Sequence, residues 1–231
     1  MQRAAVVTGG FGTLGRAVGR VLAENGWKVA LIDKAPAPEH TSAEQLHASW
    51  RRGGVELTDL EAAHSAISAA VEQLGKLDAL INVAGGFRWE TLADGNLDTW
   101  DLMYQMNVRT AATASKAALG YLADGAPDGR IINIGAGAAL KAGAGMGAYA
   151  ASKSGVMRLT EALAEELKGR AITVNAILPG IIDTPQNRKD MPDADFSRWV
   201  RPEEIANVIL FLASPAASGV TGALIPVTGR T

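Results

Sequence analysis

Tyr149 and Lys153 stand four positions apart in Tyr149-Ala150-Ala151-Ser152-Lys153, a stretch free of helix breakers. On a helix that spacing puts both side chains on one face, with Cβ atoms about 5–6 Å apart. A phenol titrates near pH 10, and an ammonium beside it favours phenolate and pulls that value toward working pH, so the pair can move a proton. A proton by itself makes no redox reaction. The second half of the chemistry lies near the amino terminus, in Thr8-Gly9-Gly10-Phe11-Gly12-Thr13-Leu14-Gly15, which follows an apolar run and precedes a helical pattern. Glycines there let the backbone turn tightly and let a pyrophosphate approach a helix amino terminus. The next apolar run ends in Leu31-Ile32-Asp33. About 20 residues beyond such glycines, a carboxylate accepts hydrogen bonds from the adenosine ribose hydroxyls. This favours NAD(H), while the neighbouring Lys34 offsets part of the repulsion a 2′-phosphate would meet and leaves NADP(H) open.

These groups need elements to hold them, and the chain alternates short apolar runs with longer helical patterns throughout. Strands are expected at residues 4–7, 28–32, 54–57, 79–83, 130–134, 172–178 and 223–227. Helices are expected at 13–25, 42–51, 60–74, 97–123, 148–168 and 202–213, the last opening on Pro202 and two glutamates that suit a first turn. Alternation of this kind builds βαβ units. The expected fold is therefore α/β: a single doubly wound Rossmann domain over residues 1–231, with a seven-stranded parallel sheet flanked by helices on both faces. Residues 183–200 mix charges, two prolines, Phe196 and Trp199 without a period, as a substrate loop would.

Taken with Asn82-Val83-Ala84-Gly85 and Pro179-Gly180-Ile181-Ile182-Asp183-Thr184, the glycine loop and the Tyr149–Lys153 motif resemble the short-chain dehydrogenase/reductase family over essentially the whole chain. The resemblance implies an NAD(P)-dependent oxidoreductase. It implies catalytic roles for Tyr149, Lys153 and Asn107, with Lys153 also holding the nicotinamide ribose and Asn107 holding a water on a proton path. It implies a cofactor site drawn from Gly9, Gly12, Thr13, Leu14, Gly15, Asp33, Lys34, Glu56, Leu57, Asn82, Ala84, Gly85, Tyr149, Lys153, Pro179, Gly180, Ile182 and Thr184. Two departures stand out: Thr13 replaces a common glycine, and Ala136, 13 positions before Tyr149, stands where most members carry a catalytic serine. Both resemble the dihydropteridine reductase branch, as do Ala84-Gly85-Gly86, Gly145-Met146 and the segment from Asp183 to Trp199.

That branch implies reduction of a quinonoid dihydropterin to the tetrahydropterin, an acceptor already activated for hydride and less dependent on a serine donor. The alternatives are a generic alcohol or carbonyl reductase of the 3-oxoacyl or ketone type, and a catalytically weak NAD-binding sensor. Trp89 and Trp199, at strand carboxyl ends, are candidates to stack on a flat substrate, and Asn187 is a candidate contact in the substrate loop.

Composition bounds the rest. The 22 basic and 24 acidic side chains are scattered, without a basic run that could track a phosphate backbone, so nucleic acid is not an expected partner. There is no cysteine for disulfides or thiolate metal sites, and His40, His47 and His64 lack ligand spacing, so no metal site is expected and all three read as surface residues. MQRAAVVTGG has no signal-peptide pattern and no apolar run long enough to span a bilayer appears, which reads as a soluble cytoplasmic protein acting on a small molecule. Trp27, Trp50 and Trp100 read as packing residues. Small residues in 97–123 and 148–168 permit close helix approach, and the resemblance implies a homodimer or tetramer.

Overall fold

The computed structural model describes residues 2–38, 44–125 and 128–231. Seven strands form one parallel sheet: β1 (Ala4–Thr8), β2 (Lys28–Ile32), β3 (Trp50–Arg52), β4 (Ala79–Asn82), β5 (Arg130–Ile134), β6 (Thr173–Pro179) and β7 (Leu224–Val227). Their order is β3-β2-β1-β4-β5-β6-β7, so the winding reverses between β1 and β4. In open sheets of this kind ligands bind at such a reversal, beyond the strand carboxyl ends.

The helices are α1 (Thr13–Glu24), α2 (Leu60–Leu74), α3 (Asp98–Met103), α4 (Thr110–Gly125), α5 (Gly147–Glu166), α6 (Pro185–Asp190) and α7 (Pro202–Ala213). Strand residues point alternately to the two faces. In β1, Ala4 and Val6 join the core built with α2, α4 and α5, whereas Ala5 and Val7 join the core built with α1 and α7. All five residues of β1 are buried, and both faces are covered, which explains why its sequence is an unbroken small and apolar run. Caps fix the helix ends. The Asp59 carboxylate accepts from Ala62 N at 2.9 Å, and Gly75 ends α2 in the left-handed region. Pro202 opens α7, where the Glu204 carboxylate accepts from Arg201 N at 2.8 Å, so the expected start of that helix stands.

Beyond shifts of one or two residues at other ends, four expected segments differ, each for a local reason. The third strand lies at Trp50–Arg52, not 54–57, because Gly54 takes φ +71° and the chain leaves the sheet there. The expected helix at 42–51 falls partly outside the described residues; within them, Glu44–Leu46 makes one short turn, His47 adopts φ 52°, and the chain passes into β3. The long helix at 97–123 is broken into α3 and α4 by a π-helical segment, Tyr104–Arg109. Finally, the loop at 183–200 is locally ordered: Thr184 caps α6, and Ile182 bridges to Val200.

The central strands should carry the stability. Ile81 is wholly buried between β1 and β5. Ile81→Ala should cost about 2–5 kcal/mol in urea unfolding, whereas Leu140→Ala, at a site 64% exposed, should cost under about 0.5 kcal/mol.

Candidate active site

A cleft of about 1000 Å³ opens where the sheet winding reverses. One wall is the turn from β1 into α1, whose shape only glycines allow. Gly9 takes φ +63°, and a Cβ on Gly15 would collide with the Gly9 carbonyl oxygen. Gly12, the residue before α1, caps it with no side chain, and the first turn contains no acidic residue. The free amide N–H groups and the positive end of the helix dipole therefore suit an anion such as a pyrophosphate. Twelve residues expected from the sequence line this cleft: Gly9, Gly12, Thr13, Leu14, Gly15, Asp33, Lys34, Glu56, Leu57, Ala84, Gly85 and Thr184. Sequence reading left out Leu102, Gln105, Met106 and Thr110, which line the same cleft from α3, α4 and the π segment between them.

Asp33 ties β2 to the glycine turn. Phe11 N donates to its Oδ2 at 2.9 Å and Ala35 N to its Oδ1 at 2.9 Å, so the carboxylate is fixed while each oxygen keeps a lone pair. Beside it, beyond the ends of the neighbouring strands β2 and β3, Lys34 Nζ meets Glu56 Oε2 at 2.6 Å.

Tyr149 and Lys153 both lie on α5, one turn apart. Lys153 is 5% exposed, and its Nζ donates to the carbonyl of Ile134 at 2.8 Å. Burial lowers the ammonium to about 8 and pushes the half-buried Tyr149 phenol up to about 12. The expectation that the ammonium draws the phenol toward neutrality is thus not met in this arrangement, because desolvation dominates. Phe87 stands edge-on to the Tyr149 ring, with centroids 4.9 Å apart. Asn107, 1% exposed, lies in the π segment. Its Oδ1 accepts from Gly86 N at 3.0 Å, and its Nδ2 donates to Gly86 O at 3.1 Å and to Ser152 Oγ at 3.0 Å. Ser152 Oγ in turn donates to the Tyr149 carbonyl at 2.7 Å. The cleft and this cluster meet at Gly85: a Cβ there would lie 2.5 Å from Asn107 Oδ1 and 3.3 Å from Lys153 Nζ.

Residues 3–195 match the family model described as short chain dehydrogenase. The chain belongs to that family. The 3-oxoacyl-[acyl-carrier-protein] reductase of Pseudomonas aeruginosa is 35% identical over 98% of this chain and 96% of its own length. The trans-4-hydroxycyclohexanecarboxylate dehydrogenase of Sinomonas cyclohexanicum is 31% identical, covering 99% of this chain and 92% of its own. Among solved structures, the carveol dehydrogenase of Mycobacterium avium in complex with NAD superposes with a TM-score of 0.86 at 29% identity, covering 98% of this chain and 96% of that one.

Within this short-chain dehydrogenase several residues expected at the site lie elsewhere. Asn82 is buried beneath the sheet, where its Nδ2 donates to Asn133 Oδ1 at 2.9 Å and to Ser115 Oγ at 3.1 Å, so it braces β4 and does not line the cleft. Pro179 closes β6, and Gly180 N donates to Val227 O; neither lines the cleft. Ile182 packs into the α1–α7 core. Trp199 is 5% exposed and packs on Phe196 at 4.8 Å between centroids, which leaves no open face for stacking. Asn187 turns its amide onto Ile182 O at 2.7 Å, serving its own loop. Trp89 is exposed, but its Nε1 donates to Ala144 O at 3.0 Å, and its indole occupies the space a Cβ on Gly145 would need. Trp27 is buried, Trp50 half-buried and packed, and Trp100 is 39% exposed. Ala136 is buried at the end of β5 and offers no hydroxyl.

His47 and His64 are exposed, and His40 lies outside the described residues. Among the described residues no group of His, Asp and Glu is arranged for a metal, and no helix is long and apolar enough to cross a membrane.

Lys153 also imprints a pH signature on stability. Its folded-state value, about 8, lies below the ordinary 10.5, so between these values the unfolded chain binds more protons and stability rises with pH. The difference in unfolding free energy between wild type and Lys153→Met should therefore increase from pH 8 toward 10. Raising the phenol to about 12 acts oppositely above pH 10, so the comparison is confined to the lower window. A flat difference across pH 8–10 in urea titrations would show that the ammonium is not desolvated.

Proposed function

We propose that this dehydrogenase interconverts a small-molecule alcohol and its carbonyl with NAD(H), Tyr149 exchanging the proton. The observation that carries this reading is Gly85, a residue of the cleft wall with Lys153 Nζ and Asn107 Oδ1 directly behind it. Tyr149 and Lys153 do not themselves line the cleft, and Gly85, standing between it and Lys153, is what supports reading the two as one site. Uncapped N–H groups at α1 would hold the pyrophosphate, and Asp33 the adenosine ribose. A bound nicotinamide supplies or accepts the hydride. With its phenol held near 12, Tyr149 keeps its proton at neutral pH and is ready to deliver it to a developing alkoxide. Lys153 would hold the nicotinamide ribose and bring positive charge near the phenol, and Asn107 fixes the backbone that frames both.

A second reading, reduction of a quinonoid dihydropterin, is favoured by Ala136. Where a hydroxyl would polarise a ketone oxygen the chain presents a methyl group, and one such donor contributes about 100-fold to 1000-fold when it stabilises developing charge. An acceptor whose charge spreads over a conjugated ring depends on it less. For self-association as a dimer or tetramer, the support is the apolar surface that Leu97, Trp100, Leu102 and Tyr104 expose on and beside α3.

Tyr149→Phe should cut turnover at least about 100-fold and leave NADH affinity within about threefold; unchanged turnover with lost NADH binding would refute the role given to the phenol. NADH oxidation should be compared on cyclic ketones, a 3-oxoacyl thioester and quinonoid dihydropterin. Activity confined to the pterin would replace the first reading with the second, and NADH binding without turnover on any acceptor would overturn both. Ala136→Ser should raise turnover on ketones by at least about tenfold.

A further inference from the structure

We infer that Glu56 sets the preference for NADH over NADPH by taking the charge of Lys34 away from the adenosine end of the cleft. The inference rests on the NAD(H) reading above and assigns a residue to it. Two strand ends hold the pair in place. Asp33 N donates to Arg52 O at 3.1 Å and Val55 N to Asp33 O at 3.0 Å, so the segments carrying Lys34 and Glu56 are locked to each other by backbone bonds. Gly53 packs against Ala35 and Pro36, and Gly54, at φ +71°, turns the chain out of β3 so that Val55 to Thr58 line the cleft beside Asp33 and Lys34. Glu56 is itself oriented. Thr58 Oγ1 donates to its Oε1 at 2.8 Å, which leaves Oε2 for Lys34 Nζ at 2.6 Å. The ion pair with Lys34 holds the Glu56 carboxyl below its usual range.

The sign of the local charge follows. Asp33, Lys34 and Glu56 together carry −1, and the one cation of the three is already paired with Glu56. A 2′-phosphate next to Asp33 would meet that net negative charge with no free ammonium of this trio to offset it, whereas a 2′-hydroxyl can donate to Asp33. Removing the Glu56 charge brings the trio to zero and releases Lys34 toward the phosphate. Removing Lys34 instead brings it to −2. Lys34 is 78% and Glu56 43% exposed, so the pair is screened in water and the expected effect on selectivity is moderate.

The test is fluorescence titration of NADH and NADPH against wild type, Glu56→Gln and Lys34→Ala, with circular dichroism and a thermal midpoint for each variant. Glu56→Gln should lower the ratio of NADPH to NADH dissociation constants about five- to tenfold, chiefly by tightening NADPH, and Lys34→Ala should not lower it. The gap between Glu56→Gln and wild type should also shrink as salt rises from about 0.05 to 0.5 M, a response that altered packing would not give. A ratio within twofold of wild type in folded Glu56→Gln overturns the assignment while leaving the NAD(H) reading intact. Failure of wild type to bind either dinucleotide overturns both.

Discussion

One buried amide holds this site together. Asn107 leaves its own helix ladder, where the backbone widens into a π turn, and spends its side chain on Gly86 and Ser152. Thr110 Oγ1 returns a hydrogen bond to Met106 O at 2.7 Å within the same distorted stretch. The result joins three separate pieces of chain. The turn after β4 is clamped at Gly86, α5 is reached through Ser152, and Ser152 passes the constraint to the Tyr149 carbonyl. At 1% exposure each unmade bond of Asn107 would leave a desolvated polar atom, a cost of about 1–3 kcal/mol apiece, so the three pieces cannot drift independently. The frame on which Phe87, Gly85 and Lys153 sit is thereby fixed before any ligand arrives.

A parallel network runs beneath the sheet. Asn82 donates to Asn133, which donates to Thr160 Oγ1 at 2.9 Å, and Thr160 closes onto Val156 O at 2.8 Å. These residues sit on β4, β5 and α5, so the helix bearing Tyr149 and Lys153 is registered against the strands by directional bonds as well as by apolar packing. Apolar contact is non-directional and tolerates sliding. Directional bonds do not, and the proton transfer proposed for this pair would need placement finer than core packing alone provides.

The fold was legible in the sequence because apolar runs and glycine turns report local physics. Of the residues expected along the cleft twelve line it, whereas Asn82, Tyr149, Lys153, Pro179, Gly180 and Ile182 do not. What escaped was settled by bonds between distant segments. Nothing local distinguishes an Asn82 that faces a ligand from one that donates to Asn133, 51 positions away. Trp199 looks like a stacking aromatic until the fold brings Val200 to Ile181 and buries the indole. Gly54 was readable as a strand start, yet its positive φ ends the strand before it. The π segment has no breaker to announce it: residues 104–109 contain neither Gly nor Pro, and the bonds from Asn107 to Gly86 join it to a turn 21 positions away.

The phenol and the ammonium respond to one cause in opposite senses, and this shapes the chemistry under the proposed function. Burial disfavours charge on both, so the site holds a neutral Tyr149 and an ammonium that releases its proton more readily than an exposed lysine. Reduction needs the neutral phenol as acid, and because an alkoxide is a stronger base than phenolate, transfer from even a raised phenol runs downhill. Oxidation needs phenolate, which this environment penalises unless further positive charge approaches the ring. With Ala136 contributing no hydroxyl, that charge has to come from Lys153 or from the bound dinucleotide. Under the proposed function a desolvated phenol would have to perform both polarisation and transfer, which suits acceptors whose developing charge is already spread or strongly basic.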